Sequence, residues 1–484
     1  MHLRITNIST PTFDVYSFSS ESAGALEITN EYSGYAATPA RYIAFAELKQ
    51  STSHIITLSH REVLMNSLTN QQFTAFIGID WADTKHDICL QPANSEQREF
   101  DQLPHKVNCI EQWAYSIHQR FGGTIAVALE LPKGPIVYAL QKYDFFVLFP
   151  VNPSTLAKYR QAFKPSRAKD DPTDAEYALE LLLHHRDILK PLKPQSVQMR
   201  TLLYLVEQRR RLVGDKIRLT NRLRNTLKQY YPQTLDWFAD SDTIVFCDFL
   251  TRWPTLTQIK RARKASLETF FKEHNVRFHK LIEERICSIK AAVPLTQDVA
   301  VITAHQLQME VLVNLLRVAL QAIERYDKKN AAIAPTLADY ALYSALPGAG
   351  LTLAPRLIIA FGEQRDRFQG ADELQKYAGV APVTERSGNK SWVHWRWQCP
   401  TFLRQTLVEW AAQTINKSFW AGAYYRQQRD KGCSHQTAVR ALAFKWIRIL
   451  YRCWQNRTPY DESKYLNALK RRDSPLLKQV ATTS

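Results

Sequence analysis

The chain has 484 residues, 45% hydrophobic and 11% aromatic, enough to bury cores in roughly two to four domains. Lysine and arginine number 63 against 46 acids, and the net charge of +17 favours a polyanionic partner such as nucleic acid. Seven scattered cysteines without a C-x-x-C pair argue against a disulfide framework or a zinc site, and no apolar run approaches the ~20 residues of a membrane span, so the chain reads as soluble and cytoplasmic.

Residues 1–70 are rich in Ser, Thr, Ala and Tyr without sustained periodicity; they read as a poorly ordered extension or as the product of an upstream start codon. "FTAFIGIDWADTKHDICLQP" (73–92) predicts two strands joined by a tight turn, the first ended by Asp80. "GTIAVALELPKG" (123–134) predicts a buried strand with Glu130 near its carboxyl end, and "YDFFVLFPVNP" (143–153) another, stopped by prolines. Strands alternating with helical stretches indicate an α/β domain with a mixed sheet.

"AKDDPTDAEYALELL" (168–182) crowds acids into a basic chain. Pro172 suits the first position of a helix, Asp171 its N-cap and Asp174 a capping-box position, while Ala175, Ala178, Leu179 and Leu182 recur at helical spacing. The alternative to capping is a metal site: carboxylates three apart lie on one helix face, and Mg²⁺ prefers oxygen ligands. Asp80 and Glu130 at strand ends supply partners, with Asp83 competing for the place of Asp80. Four such acids could converge at the carboxyl edge of the sheet as a two-metal nuclease site requires.

From about 196 the pattern becomes helical. Met199, Leu202, Val206, Val213, Leu223, Leu227 and Tyr230 form an imperfect coiled-coil seam, and Met309, Leu312, Leu316, Ala319, Ile323 and Tyr326 a second. Two long helices around an aromatic tip suggest an antiparallel hairpin or an arm that dimerises. The first helix carries Arg209, Arg210, Arg211, Lys216, Arg218, Arg222, Arg224 and Lys228 against the single acid Asp215. Such a run is either a solvated face or a track for a phosphate backbone.

The block at 337–460 reads as mostly short helices with few strands. "LPGAGLTLAPRLIIAFG" (346–362) suggests a helix-hairpin-helix in which Gly348 and Gly350 turn the chain and a helix N-terminus offers N–H groups to a phosphate. Ser387 follows in "ERSGNK", with Lys390, His394, Arg396 and Arg404 as nearby cations that could stabilise an attacking alkoxide. The end, "KRRDSPLLKQVATTS", reads as a disordered tail.

In order, Ile-Asp at Asp80, Leu-Glu at Glu130, Lys-x-Asp-x-x-Asp-Ala at 169–175, Leu-Pro-Gly-x-Gly, Tyr-Ala-Gly-x-x-Pro and Ser-Gly resemble the DEDD transposases of the insertion-sequence one-ten family, relatives of the Piv-type DNA invertases. The resemblance spans about 73–460. It implies a RuvC-like domain with an RNase H fold (71–195) whose acids Asp80, Glu130, Asp171 and Asp174 bind Mg²⁺. It also implies a coiled-coil insert with a tip (196–336) used in oligomerisation, a C-terminal serine transposase domain (337–460) with Ser387 as nucleophile, and a tail (461–484). The implied partners are donor and target DNA, a structured bridge RNA, and further copies of the chain as a dimer or tetramer. The departures are Trp397, Cys399 and Pro400 where a small glycine is usual, and Asp170 for the more usual Thr. The readings that rival an RNA-guided recombinase are a RuvC-type resolvase using metal-activated water and a non-catalytic nucleic-acid scaffold.

Overall fold

The computed structural model describes residues 73–130, 132–163, 171–193, 195–276 and 278–476. The extension read at 1–70, as well as Lys169 and Asp170, lies outside the described residues.

The expected first strands form as a hairpin, β1 (Ala75–Trp81) and β2 (Lys85–Pro92), continued by β3 (Glu99–Pro104). Helix α1 (Val107–Phe121) leads to β4 (Ile125–Leu129), then α2 (Pro135–Leu140) to β5 (Phe146–Pro150). Helices α3 (Pro153–Phe163) and α4 (Asp171–His184) follow. The five strands form one sheet in the order β3-β2-β1-β4-β5. Its pairings are antiparallel on the β2 side of β1 and parallel on the β4 side. Alternation sorts the side chains. Ala75, Ile77, Ile79, Ile125, Val127 and Leu129 share one core with α1 and α2, while Ala126, Ala128 and Phe149 pack on the opposite face with Leu156, Ala178 and Leu182. Strand β3 was not anticipated. Only its Leu103 is buried, and its charged, exposed residues blunt an open sheet edge.

The 34-residue α5 (Val197–Tyr230) is N-capped by Ser196, whose hydroxyl accepts from Met199 N at 3.2 Å. Five short helices, α6–α10 (residues 234–291), build the tip, and the 35-residue α11 (Val299–Ile333) returns. Arg209 pairs with Asp327, and the Tyr230 and His305 rings stack at 6.5 Å, so the two long helices run antiparallel, as expected. The seam is not one continuous stripe. Leu223, Leu227 and Tyr230 join the tip core with Met309, Leu312 and Leu316, whereas Met199, Leu202 and Val206 belong to the core of the following block. Between them, Arg209 and Lys216 make ion pairs with Asp327 and Asp242. By length and composition α11 is the one described helix apolar enough to cross a membrane. One of its faces is buried against α5 and the tip, and Arg317 pairs with Asp248.

The remaining helices are α12 (Tyr340–Ser344), α13 (Gly350–Phe361), α14 (Ala371–Tyr377), α15 (Thr401–Thr414), α16 (Phe419–Asp430), α17 (His435–Asn456) and α18 (Glu462–Arg471). Trp410, Trp420, Trp446 and Trp454 are fully buried in their shared core. A two-stranded hairpin, β6 (Val383–Ser387) and β7 (Lys390–His394), interrupts them and was not anticipated. The disordered stretch expected from 470 needs correction where it is described. Asp461 caps α18 through its side chain, and Leu476, 3% exposed, joins the core; residues 477–484 lie outside the described residues.

Candidate active site

The acids at the sheet edge are brought together by register. Ile79 pairs with Leu129 across the parallel β1–β4 ladder, so Asp80 and Glu130 follow side by side at the carboxyl ends of strands ~4.8 Å apart. On the other side Asp80 lies opposite Asp87 of β2. Since Ile79, Ile88 and Leu129 face the α1 core, alternation turns Asp87, Asp80 and Glu130 to the opposite face, where α4 packs. Asp87, which sequence reasoning missed, is 4% exposed and accepts a bond from Gln102 Nε2 at 2.8 Å.

Gly78 sets the approach of α4. A Cβ there would stand 2.0 Å from Ala175 O and 2.6 Å from Leu179 N, so only glycine lets helix and strand meet this closely. Arg186, past the end of α4, lies 5.3 Å from the ring of Phe73, just before β1. Helix and strand are therefore antiparallel, and the first turn of α4 overhangs the edge bearing Asp80. Ala175, Ala178, Leu179 and Leu182 are buried, as their spacing required. Glu176 and Glu180 point elsewhere, to Arg98.

Asp174 sits in that first turn with a side chain only 4% exposed, and both its oxygens lie 2.5 Å from Nη1 of Arg160 on α3. The backbone of Asp171 opens α4, but its side chain lies outside the described residues. Carboxylate oxygens on adjoining strand ends suit a hard divalent cation. Among the described residues, however, no three acids, histidines or cysteines are gathered closely enough to hold an ion, and Asp174 is engaged by Arg160.

Ser387 closes β6 at the hairpin tip, exposed and opposite Lys390. Gly388, at φ 55°, takes the left-handed conformation of the turn, and a Cβ there would meet nothing within 4 Å. His394 faces Glu385 at 3.3 Å. Arg396 and Arg404, read as phosphate cations, also anchor the hairpin's foot. Arg396 Nε donates to Ala381 O and Arg404 Nη1 to Arg396 O, each at 3.4 Å. Arg404 and Arg440 both lie over Trp395, and burial, then the neighbouring Arg404, pushes Arg440 down to about 10. Cys399 has a packing role: its Sγ lies 2.3 Å from where a Cβ on Gly379 would be, so the cysteine fills the space that Gly379, at φ +66°, leaves open. Among the described residues no hydrogen bond or ion pair joins Ser387 to the acidic edge.

The basic run on α5 divides. Arg209 pairs with Asp327, Lys216 with Asp242, and Arg210 donates to Gln405 Oε1 at 2.8 Å. Those three hold the fold together. Arg211, Arg218, Arg222 and Lys228 are exposed, Arg224 is half-buried, and Arg218 also meets Asp215. Arg211, Arg218 and Arg222 fall on one stripe of the helix.

The glycine turn before α13 forms as expected, with Gly348 at φ +75° and Gly350 at φ +53°. The close approach at Gly348 is to Gln413 of α15, 2.9 Å from its missing Cβ, and Trp410 Nε1 donates to Pro347 O at 3.0 Å. Gly348 is therefore held by packing. The N-terminus of α13 has no side-chain cap.

A mixed sheet with acids along its carboxyl edge, a cationic helix and a helical block with a glycine turn are features that suit a protein acting on nucleic acid. A DEDD transposase model of the IS110 type matches residues 77–232, and that of the Transposase IS116/IS110/IS902 family matches residues 340–426. The chain belongs to this transposase family. It is 29% identical over 401 residues to the candidate transposase of the IS117 mini-circle of Streptomyces coelicolor, covering 81% of this chain and 96% of that one. It is 26% identical over 348 residues to the uncharacterised 44.8 kDa protein of insertion element IS116 of Streptomyces clavuligerus, covering 70% and 81%. With the 43.6 kDa protein of IS110 of S. coelicolor it shares 24% over 403 residues, covering 80% and 95%.

Proposed function

We propose that the chain excises and integrates its own insertion sequence by attack of Ser387 on a DNA phosphodiester, directed by a structured bridge RNA. The observation that carries this reading is the row of Asp80 and Glu130 beneath the first turn of α4, at the sheet edge where phosphoryl-transfer acids would be needed. The sheet order, with an antiparallel β1–β2–β3 meander and then parallel strands, supports a RuvC-like domain of RNase H type at 71–195, followed by a coiled-coil insert and a serine transposase domain.

Asp80, Glu130, Asp171 and Asp174 would hold Mg²⁺, for which Asp174 must leave Arg160. When bound, the ion would supply charge stabilisation for the attacking and leaving oxygens. Ser387 Oγ forms the bond to phosphorus as the phosphorus–oxygen bond to the sugar breaks; the serine proton is lost and the leaving oxygen gains one. Lys390, opposite Ser387, offsets the charge that develops on the phosphate. Because, among the described residues, no hydrogen bond or ion pair joins hairpin and acidic edge, the reading needs the site completed by movement or by a second copy. An exposed apolar stripe on α11, Leu307, Val311, Leu315 and Val318, supports assembly into a dimer or tetramer. Arg211, Arg218 and Arg222 would follow the phosphates of guide RNA or DNA.

The lack of such a bond among the described residues favours a second reading, hydrolysis by metal-activated water as in a resolvase. Enzyme, guide and labelled DNA are incubated with Mg²⁺ and denatured. Label migrating with protein, and lost in Ser387→Ala, is the expected result; cleavage that leaves only free ends in both proteins selects hydrolysis. No cleavage at all leaves a binding scaffold.

A further inference from the structure

The hairpin that carries Ser387 has no core of its own. Nine residues of β6 and β7 are exposed, and Val383 alone is half-buried. A two-stranded hairpin in water is marginally stable. This one nevertheless leaves 44% of Trp392 and 70% of Val393 uncovered, and 76% of Trp397 just beyond it. Apolar surface of this kind on so small an element marks a face that something covers, and Trp392 and Val393 alternate to opposite faces of the hairpin.

Register shows which face. Ser387 lies opposite Lys390 and Glu385 opposite Trp392. Side chains directly opposite share a face, and alternate residues along a strand do too. Ser387, Lys390, Glu385 and Trp392 therefore stand together, with Trp392 the diagonal neighbour of Ser387 at ~7–8 Å. A nucleotide whose phosphate is at Ser387 can bridge that distance with its sugar and base. Lys390 is the cation on this face, Arg386 adjoins Ser387 in the chain, and the one hairpin acid, Glu385, already faces His394. That charge balance suits a polyanion better than an apolar protein surface. Trp395 is covered by Arg404 and Arg440, whereas among the described residues no ring or cation stacks on Trp392.

We propose that Trp392 is a stacking platform for an unpaired nucleobase adjoining the phosphate presented to Ser387, so that this face of the hairpin selects unstacked over fully paired nucleic acid. Stacking needs the flat face of a base, which a duplex hides, and it tolerates any sequence because every base has that face. The inference rests on the reading that Ser387 meets a nucleic-acid phosphate, and extends it from the phosphate to the state of the adjoining base.

The test uses the full chain and one oligonucleotide, single-stranded or paired with its complement, carrying a fluorescent adenine analogue whose emission reports stacking. Trp392→Leu, which keeps apolar bulk without the ring, should weaken single-strand binding roughly 5- to 150-fold, the equivalent of ~1–3 kcal/mol of base–aromatic stacking. It should abolish the quenching of the analogue, leave the salt dependence unchanged and barely alter duplex binding. Trp392→Phe should retain most of the affinity and quenching. Lys390→Gln, in contrast, should flatten the salt dependence for both ligands. Unchanged binding and quenching in Trp392→Leu would overturn the proposal. So would equal losses for single strand and duplex, or a fall in the protein's sedimenting mass, which would assign the face to a second copy. The adduct assay on wild-type protein is run in parallel. No adduct, together with ring-dependent single-strand binding, sinks the serine chemistry and leaves the platform standing; an adduct with unchanged binding in Trp392→Leu does the reverse.

Discussion

Replacing Asp174 tests whether its carboxylate is a cap, a structural partner or a chemical group. A cap or dipole interaction is worth about 1 kcal/mol or less. Asp174 does more: its side chain is 4% exposed and faces Arg160, itself 19% exposed. Asp174→Ala leaves that guanidinium largely buried without a counter-charge, a loss of about 3–5 kcal/mol for a fully buried pair. The exposed fifth of Arg160 argues for the lower end, about 3 kcal/mol, or roughly 6–12 °C in melting temperature at ~2–4 °C per kcal/mol. Arg160→Met/Asp174→Ala removes both charges and should recover to within about 1 kcal/mol of wild type. It should still fail to cleave DNA, because the carboxylate is missing. Arg160→Met alone buries an unpaired carboxylate, and Mg²⁺ should raise its melting temperature more than it raises that of Arg160→Met/Asp174→Ala. Differential scanning calorimetry with and without Mg²⁺, beside a strand-cleavage assay, reads all of these. If Asp174→Ala melts with wild type, the ion pair contributes nothing; if the double variant cleaves normally, Asp174 is not part of the chemistry.

Gly78→Ala should destabilise the α/β domain by about 1–3 kcal/mol or block its folding, seen in thermal melts, because the new methyl meets backbone atoms of Ala175 and Leu179. Reversing Arg218 and Arg222 to Glu should weaken RNA or DNA binding and flatten its salt dependence by a slope of about 0.7 to 0.9 for each phosphate left unneutralised, whereas Arg209→Glu should mainly lower stability because Arg209 pairs with Asp327. His86, fully buried, is lowered to about 4, first by burial and then by His105, with Asp87 opposing. The unfolded chain, near 6.5, thus binds the proton more readily, so stability should fall as pH drops from about 6.5 towards about 4, and His86→Phe should flatten that decline in urea titrations.

What the sequence revealed followed from periodicity. β1, β2, β4 and β5 are runs that bury one or both faces, and Ala175, Ala178, Leu179 and Leu182 mark the helix face that meets them. Asp80 and Glu130 could be placed because strand ends are where apolar runs stop. β3 stayed hidden because an edge strand with one buried residue carries no apolar alternation. The β6–β7 hairpin was missed because it packs on no core, although Gly388-Asn389 is a turn pair and was the available signal. Asp87 lay within the expected second strand, but only strand register sets it opposite Asp80. Arg160, Arg209, Arg210 and Lys216 resemble any solvated cations in the sequence, since their partners are brought to them only by folding.

The antiparallel pairing of α5 with α11 makes the tip's distance from the rest of the chain an adjustable length. The 34 residues of α5 rise by about 50 Å at ~1.5 Å each. Because the chain goes out along one helix and returns along the other, deleting two turns from both shortens the reach by about 10 Å, near the rise of three base pairs, and keeps both ends in register. A set of such matched deletions would be a molecular ruler. If tips joined copies of the chain, the spacing between the strand breaks they make would step with the number of turns removed, and a spacing that never changed would show that something other than this rod sets it.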